Sequence, residues 1–156
     1  MKEILKNYNS SVITNAYELF GSFVNGNTVT FRVWAPNAQQ VSVVGDFNGW
    51  NHDANPMIRI DGGCWETEIE GLENYTIYKY SIVRCDGSRV LKCDPYARHF
   101  ETAPANCSKV YKEDNYKWQD AEWLESAKDK NIYELPVNIY EVHAGSWRKY
   151  QDGNNY

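Results

Sequence analysis

The chain has 156 residues, with 16 Lys and Arg against 21 Asp and Glu, and a net charge of −5. That length suits one domain able to bury most of its unfolded surface, and it excludes a complete (βα)8 barrel, which needs about 200 residues or more. The acidic balance argues against a phosphate-backbone binder, which would show a clustered basic excess, so nucleic acid is not an expected partner. Aromatic residues are prominent: 6 Trp, 12 Tyr and 5 Phe. Such rings carry an apolar face and, in Trp and Tyr, a polar tip, and so serve both cores and recognition surfaces. No run of 18 apolar residues predicts a membrane span, and Met1–Ser10 has no signal-peptide form. The expected location is cytoplasmic. Cys64, Cys85, Cys93 and Cys107 are then expected to be reduced; they form no C-x-x-C pair and predict no metal site. A Cys85–Cys93 bridge across a hairpin is a minor alternative.

Residues 1–24 lean towards helix: Ile4, Leu5 and Tyr8, then Ala16, Tyr17, Leu19 and Phe20 before Gly21, predict one or two short helices. From Thr28 the period becomes two. Val29, Phe31 and Val33 share one strand face, and Ala35-Pro36-Asn37 stops the strand. A strand over Gln40–Val44 runs into Gly45-Asp46-Phe47-Asn48-Gly49-Trp50-Asn51, where Asn48-Gly49 signals a turn. Trp50 therefore stands on a turn, away from expected core positions. Trp34, Phe47 and Trp65 are expected in the core. Further strands are predicted over Cys64–Glu70, Thr76–Arg84, Arg89–Lys92 and Ser108–Tyr111, with Asp86-Gly87 turning one into the next. Strands at this spacing without an intervening helix predict an all-β sandwich.

After Asn115 the composition shifts. Asp120 is placed to cap a helix over Ala121–Lys130, with Trp123 as its apolar anchor. Val137-Asn138-Ile139-Tyr140-Glu141-Val142-His143 predicts a buried strand. No partner strand is evident for it, so it either adds to the sandwich edge or, more simply, marks the front of a longer chain. Glu141 and His143 share a face of that strand, but two ligands do not make a metal site.

Several segments together carry a family resemblance: Thr30-Phe31-Arg32-Val33-Trp34-Ala35-Pro36-Asn37-Ala38, Val43-Val44-Gly45-Asp46-Phe47-Asn48-Gly49-Trp50, Tyr78-Lys79-Tyr80 and Asp94-Pro95-Tyr96-Ala97. They resemble the N-terminal immunoglobulin-like β-sandwich of glycogen and starch branching enzymes, a carbohydrate-binding module of family 48. The run Asn138 to Trp147 is similar to the first barrel strand of their glycoside hydrolase family 13 domain. The implied organisation is an N-terminal helical segment over 1–24, a sandwich over 25–113, a linker with a short helix over 114–136, and the start of a catalytic barrel over 137–156.

The resemblance implies a 1,4-α-glucan branching enzyme, a retaining glycosyltransferase of glycogen biosynthesis, working through two carboxylates. No residue of this sequence matches either carboxylate, so no catalytic residue, metal or cofactor is expected here. The implied partners are an α-1,4-glucan (glycogen or maltooligosaccharides) and the enzyme's own catalytic barrel. Trp50 matches the tryptophan that stacks on glucan in related modules, and Lys79 matches a glucan-contacting lysine. Asn48 and Asn51 are candidate hydroxyl partners and equally turn residues. Better glucan binders carry a second tryptophan after the Asp-Gly turn, where this chain has Ser88-Arg89-Val90. Weak affinity is therefore expected. A structural module that packs on and stabilises the barrel is the alternative. A debranching or trehalose-forming parent, or a regulatory glycan sensor, also stays open.

Overall fold

A segment with an apolar residue at every second position buries one face when it is extended, and that pattern builds the main strands of the chain. The computed structural model describes residues 15–112, 117–143 and 147. The chain divides into two compact units, Met1–Asp114 and Asn115–Tyr156.

In the first unit the strands are β1 (Gly21–Asn25), β2 (Thr28–Trp34), β3 (Gln40–Gly45), β4 (Ile58–Ile60), β5 (Cys64–Glu70), β6 (Ile77–Val83), β7 (Arg89–Lys92), β8 (His99–Phe100) and β9 (Ser108–Lys109). One sheet runs β1-β2-β5-β4 and the other β3-β6-β9-β8, with β7 also paired to β6. Every pairing is antiparallel. Val29, Phe31 and Val33 of β2 meet Trp65 and Ile69 of β5, Val41 and Val43 of β3, and Tyr78 and Tyr80 of β6 in one buried cluster. Inner faces of two antiparallel sheets thus form one core, as the all-β sandwich reading expects.

One edge of β6 is shared. β7 pairs with Tyr80–Val83, and β9 pairs with Ile77 and Tyr78. The gap between them is filled by buried Asp94. Its Oδ2 accepts from Tyr78 Oη at 2.6 Å and Tyr80 Oη at 3.1 Å, and its Oδ1 accepts the Tyr96 N–H at 2.8 Å. Ser108 Oγ takes the Asp94 N–H at 2.8 Å. A buried carboxylate needs such partners. Burial raises the Asp94 pKa above the ordinary carboxylate value, against the opposing pull of these hydrogen bonds.

Several expectations need correction. Residues 16–20 hold a 3₁₀ turn, Ala16–Glu18, rather than a helix, and β1 begins at Gly21, inside the segment expected to be helical. Leu19 and Phe20 pack with Cys64 in a small second cluster instead. Ile4, Leu5 and Tyr8 lie outside the described residues. Trp34 is 43% exposed, whereas Trp65 is buried and Phe47 packs against the core. Because Val29, Phe31 and Val33 face inward, the strand period puts Trp34 on the opposite side. All four cysteines are free. The register Val83↔Arg89 places Cys85 at the turn and Cys93 past the other end of β7, so they do not oppose each other.

In the second unit, α1 (Ala121–Lys128) stops two residues short of the expected end. Asp120 makes no side-chain cap: its φ of −106° and ψ of 9° depart from the extended N-cap geometry. Trp123 is exposed. Val137–His143 forms no strand, and Ile139 is 90% exposed. A strand needs a neighbour to take its backbone hydrogen bonds, and no described residue pairs with this one. The remainder of the segment expected to begin a barrel lies outside the described residues, apart from Trp147, which meets Tyr140 edge-on at 5.8 Å.

Candidate functional site

The turn after β3 is built from three sequence features. Gly45 must be glycine for space: a Cβ there would stand 2.2 Å from the Ile77 carbonyl oxygen. Asn48 ties the turn together, accepting from the Gly45 N–H at 3.1 Å and donating to Val43 O at 3.0 Å and Asn55 Oδ1 at 2.7 Å. Gly49 follows at φ 61°, in the left-handed region that favours glycine. Trp50 continues in that region at φ 59°, which is costly for a bulky residue. Its N–H donates to Gly45 O at 2.9 Å, and its Nε1 donates to Asp46 Oδ1 at 2.7 Å. The indole is therefore held at both its backbone and its ring nitrogen, and stays partly exposed.

Residues after Trp50 run across the outer face of the β3-β6 sheet. Tyr78 and Tyr80 point into the core, so Lys79 and Ser81 point outward. His52 Nδ1 meets Ser81 Oγ at 2.9 Å, and Asp53 pairs with Arg89 at 3.5 Å. Val44, across from Lys79 in the ladder, is buried although it belongs to the outward set. Asn51 is exposed, with its Oδ1 accepting the Asp53 N–H at 3.0 Å in an Asx turn.

Lys79 Nζ donates to Asn106 Oδ1 at 2.5 Å. Asn106 is exposed, and its carbonyl accepts from Cys93 Sγ at 2.6 Å. The next residue, Cys107, donates its N–H to Glu101 Oε2 at 2.9 Å, a bond that holds the Glu101 carboxyl below its ordinary range. Burial pushes the Cys107 thiol up to about 11, so it stays neutral.

Among the four expected site residues, Lys79 stands on the outer face of the β3-β6 sheet, Trp50 and Asn51 stand on the turn that His52 ties to that face, and the Asn48 amide is used inside the turn. Asn106 joins Lys79, and no motif in the loop before β9 announces it. His52, without context in the sequence, anchors the loop to β6. Trp34 lines a separate groove of about 430 Å³ with Pro36, Ile82 and Arg84. The surface offers a flat ring, an ammonium and amides, which suit a neutral ligand with an apolar face and many hydroxyls. Among the described residues no group of three or more His, Cys, Asp or Glu is placed to hold a metal ion, and no helix is long and apolar enough to cross a membrane.

Comparison with known proteins identifies the family of the sandwich. Residues 19–97 match the family model of carbohydrate-binding module 48 (isoamylase N-terminal domain). The chain is 42% identical over 154 residues to the 1,4-alpha-glucan branching enzyme GlgB of Bacillus subtilis (strain 168), covering 96% of this chain and 25% of the relative. It is 49% identical over 129 residues to the enzyme of the same name from Protochlamydia amoebophila (strain UWE25), covering 81% of this chain and 18% of the relative. The chain thus spans a quarter or less of these relatives. Klebsiella pneumoniae pullulanase complexed with maltotriose superposes with a TM-score of 0.50 at 29% identity, covering 60% of this chain and 9% of that one. The all-β sandwich, its Trp50 turn and the family match together place this chain in carbohydrate-binding module family 48.

Proposed function

We propose that the sandwich holds a strand of α-1,4-glucan on the outer face of the β3-β6 sheet, as the glucan-binding part of a branching enzyme acting in the cytoplasm. The carrying observation is Trp50: a strained, partly exposed indole fixed by Gly45 and Asp46 beside the face that bears Lys79. The indole plane stacks on the C–H face of a glucose unit, and Lys79, Asn106 and Asn51 bond its hydroxyls. Relatives named as branching enzymes support the parent activity, transfer of an α-1,4-linked segment to a 6-hydroxyl. This chain's share is to hold glucan for that transfer. The free cysteines suit a reducing compartment.

Calorimetric titration with maltoheptaose tests the reading. Binding with a Kd of about 1 mM is expected, equivalent to about 4 kcal/mol. Trp50→Ala should abolish it, and Lys79→Ala should weaken it. Absence of binding at several millimolar sugar, or equal binding by Trp50→Ala, would reject the reading.

A second reading has its own support. The position after the Asp86-Gly87 turn lacks an aromatic ring, and Arg89 there is engaged by Asp53. A module of this kind would act by packing on the catalytic barrel. Deleting it would then lower the melting temperature of the complete enzyme, while Trp50→Ala would leave chain transfer unchanged.

A further inference from the structure

Among the described residues, two that are not glycine have positive φ: Trp50 at 59° and Tyr75 at 68°. Both are aromatic. Glycine or asparagine would hold either position with less strain. Backbone strain of this kind persists where the surroundings over-determine it, and it clusters at ligand contacts. Trp50 has such a role in the proposed function, and Tyr75 has no part in it.

The surroundings of Tyr75 fix it firmly. Its N–H donates to Val110 O at 2.7 Å, and the next N–H, of Thr76, donates to Glu73 O at 3.2 Å. Its ring meets His99 edge-on at 5.2 Å and lies tilted to Tyr111 at 5.8 Å, while His99 and Tyr111 are 5.6 Å apart. Three rings brace one another, yet Tyr75 remains 50% exposed. A braced, exposed ring is a contact surface that loses little entropy on binding.

Tyr75 also lines an open groove of about 490 Å³, together with Asp46, Phe47, Leu72, Glu73 and Ile77. Asp46 is the residue whose carboxylate holds the Trp50 indole. The two strained aromatic residues therefore flank one carboxylate, Trp50 by a hydrogen bond and Tyr75 by a shared groove. The walls mix apolar surface with the acceptors Asp46 and Glu73. That mixture suits a pyranose, whose ring carbons present C–H groups to an aromatic face while its hydroxyls donate to carboxylates. An open groove takes a chain passing through it rather than an enclosed small molecule.

We infer that Tyr75 is a second stacking platform, which receives the continuation of an α-1,4-glucan chain whose first contact is Trp50. This rests on the proposed glucan contact at Trp50.

Amide chemical shifts of the 15N-labelled chain, titrated with maltose and with maltoheptaose, test the inference. Both sugars should shift Asn51, His52 and Lys79. Only maltoheptaose should also shift Glu73, Tyr75 and Thr76. Tyr75→Gly suits the same backbone angle and should keep the fold. It should weaken maltoheptaose binding about 5- to 10-fold and leave maltose binding within about twofold. Trp50→Ala should abolish binding of both. Normal maltoheptaose binding by Tyr75→Gly would overturn the inference and leave the Trp50 contact standing, as would wild-type shifts confined to the Trp50 loop and Lys79. An equal loss for both sugars would make Tyr75 a support of the turn and would also overturn it. Failure of the wild-type chain to bind either sugar would remove both readings. Should Tyr75→Gly not fold, the wild-type shifts at Glu73–Thr76 decide alone.

Discussion

Trp50 Nε1 donates to Asp46 Oδ1 at 2.7 Å, four residues back along the same turn. A bond from an indole N–H to a carboxylate is charge-assisted and directional, so it selects one ring orientation from those the exposed turn would allow. Asp46→Ala should leave the sandwich folded and free the ring to rotate. The lost bond is worth about 0.5–1.5 kcal/mol, which corresponds to maltoheptaose binding weakened about 2- to 10-fold. The Trp50 indole resonance should move and broaden in the same variant. Unchanged affinity would show that the ring is positioned by its backbone alone.

The Asp94 cluster predicts a pH dependence. Burial raises the Asp94 pKa in the folded state above the ordinary value of 3.8. A raised carboxyl pKa means that the folded protein holds this proton more tightly than the unfolded chain. The contribution is complete below pH 3.8 and is lost as pH rises through the higher folded value. Asp94→Asn removes this contribution. It also puts an amide N–H₂ where one carboxylate oxygen accepted, which should cost about 1.5–3 kcal/mol at neutral pH. The stability gap between wild type and variant, from urea unfolding at pH 7 and pH 4, should therefore widen in acid. A gap that narrows in acid would reverse the sign assigned to Asp94.

The sandwich was legible where strands alternate. Val29, Phe31 and Val33, like Tyr78 and Tyr80, show a period of two that only a half-buried strand explains, and each faces the core. Strands β4 and β8 have three and two residues, too short to display a period, while the strand expected over Ser108–Tyr111 is present as β9 but spans only Ser108–Lys109. Trp50 was legible because Asn48-Gly49 marks a turn. Asn106 was not, since a loop asparagine gains meaning only when Lys79, 27 residues away, is brought to it. Val137–His143 has the composition of a strand without the ladder that would make it one, which shows pattern yielding to the need for a partner.

Two glycines of the Trp50 turn should respond differently to substitution. At Gly45 the obstacle is space, because a Cβ would fall 2.2 Å from Ile77 O and 2.7 Å from the Phe47 ring. Its φ of −179° is extended and open to any residue. Gly49 is the reverse: φ is 61° and nothing lies within 4 Å of a Cβ. Gly45→Ala should cost about 3 kcal/mol, since the backbone of β6 must move. Gly49→Ala should cost about 1 kcal/mol from left-handed strain alone. Thermal unfolding ranks the pair, and a larger loss at Gly49 would refute the steric account of Gly45.

Arg32 joins elements that the sequence keeps apart. Its Nε and Nη2 both donate to Glu66 Oε2 across the β2-β5 ladder, and Nη1 donates to Leu19 O at 2.8 Å. The arginine side chain is 11% exposed and the glutamate side chain 29%, so the pair is partly shielded from water. Arg32→Ala leaves the Leu19 carbonyl without this donor and the Glu66 carboxylate without its counter-charge. The expected loss is about 2–3 kcal/mol, above the usual worth of a surface ion pair. Lysine places one ammonium where the planar fork reached two partners, so Arg32→Lys should recover less than half of that loss. Glu66→Gln keeps an acceptor and should be milder than either Arg32 variant. Urea unfolding of the three variants gives the order, and full recovery by lysine would mean that charge alone, without the fork, holds the turn before β1 to the sheet.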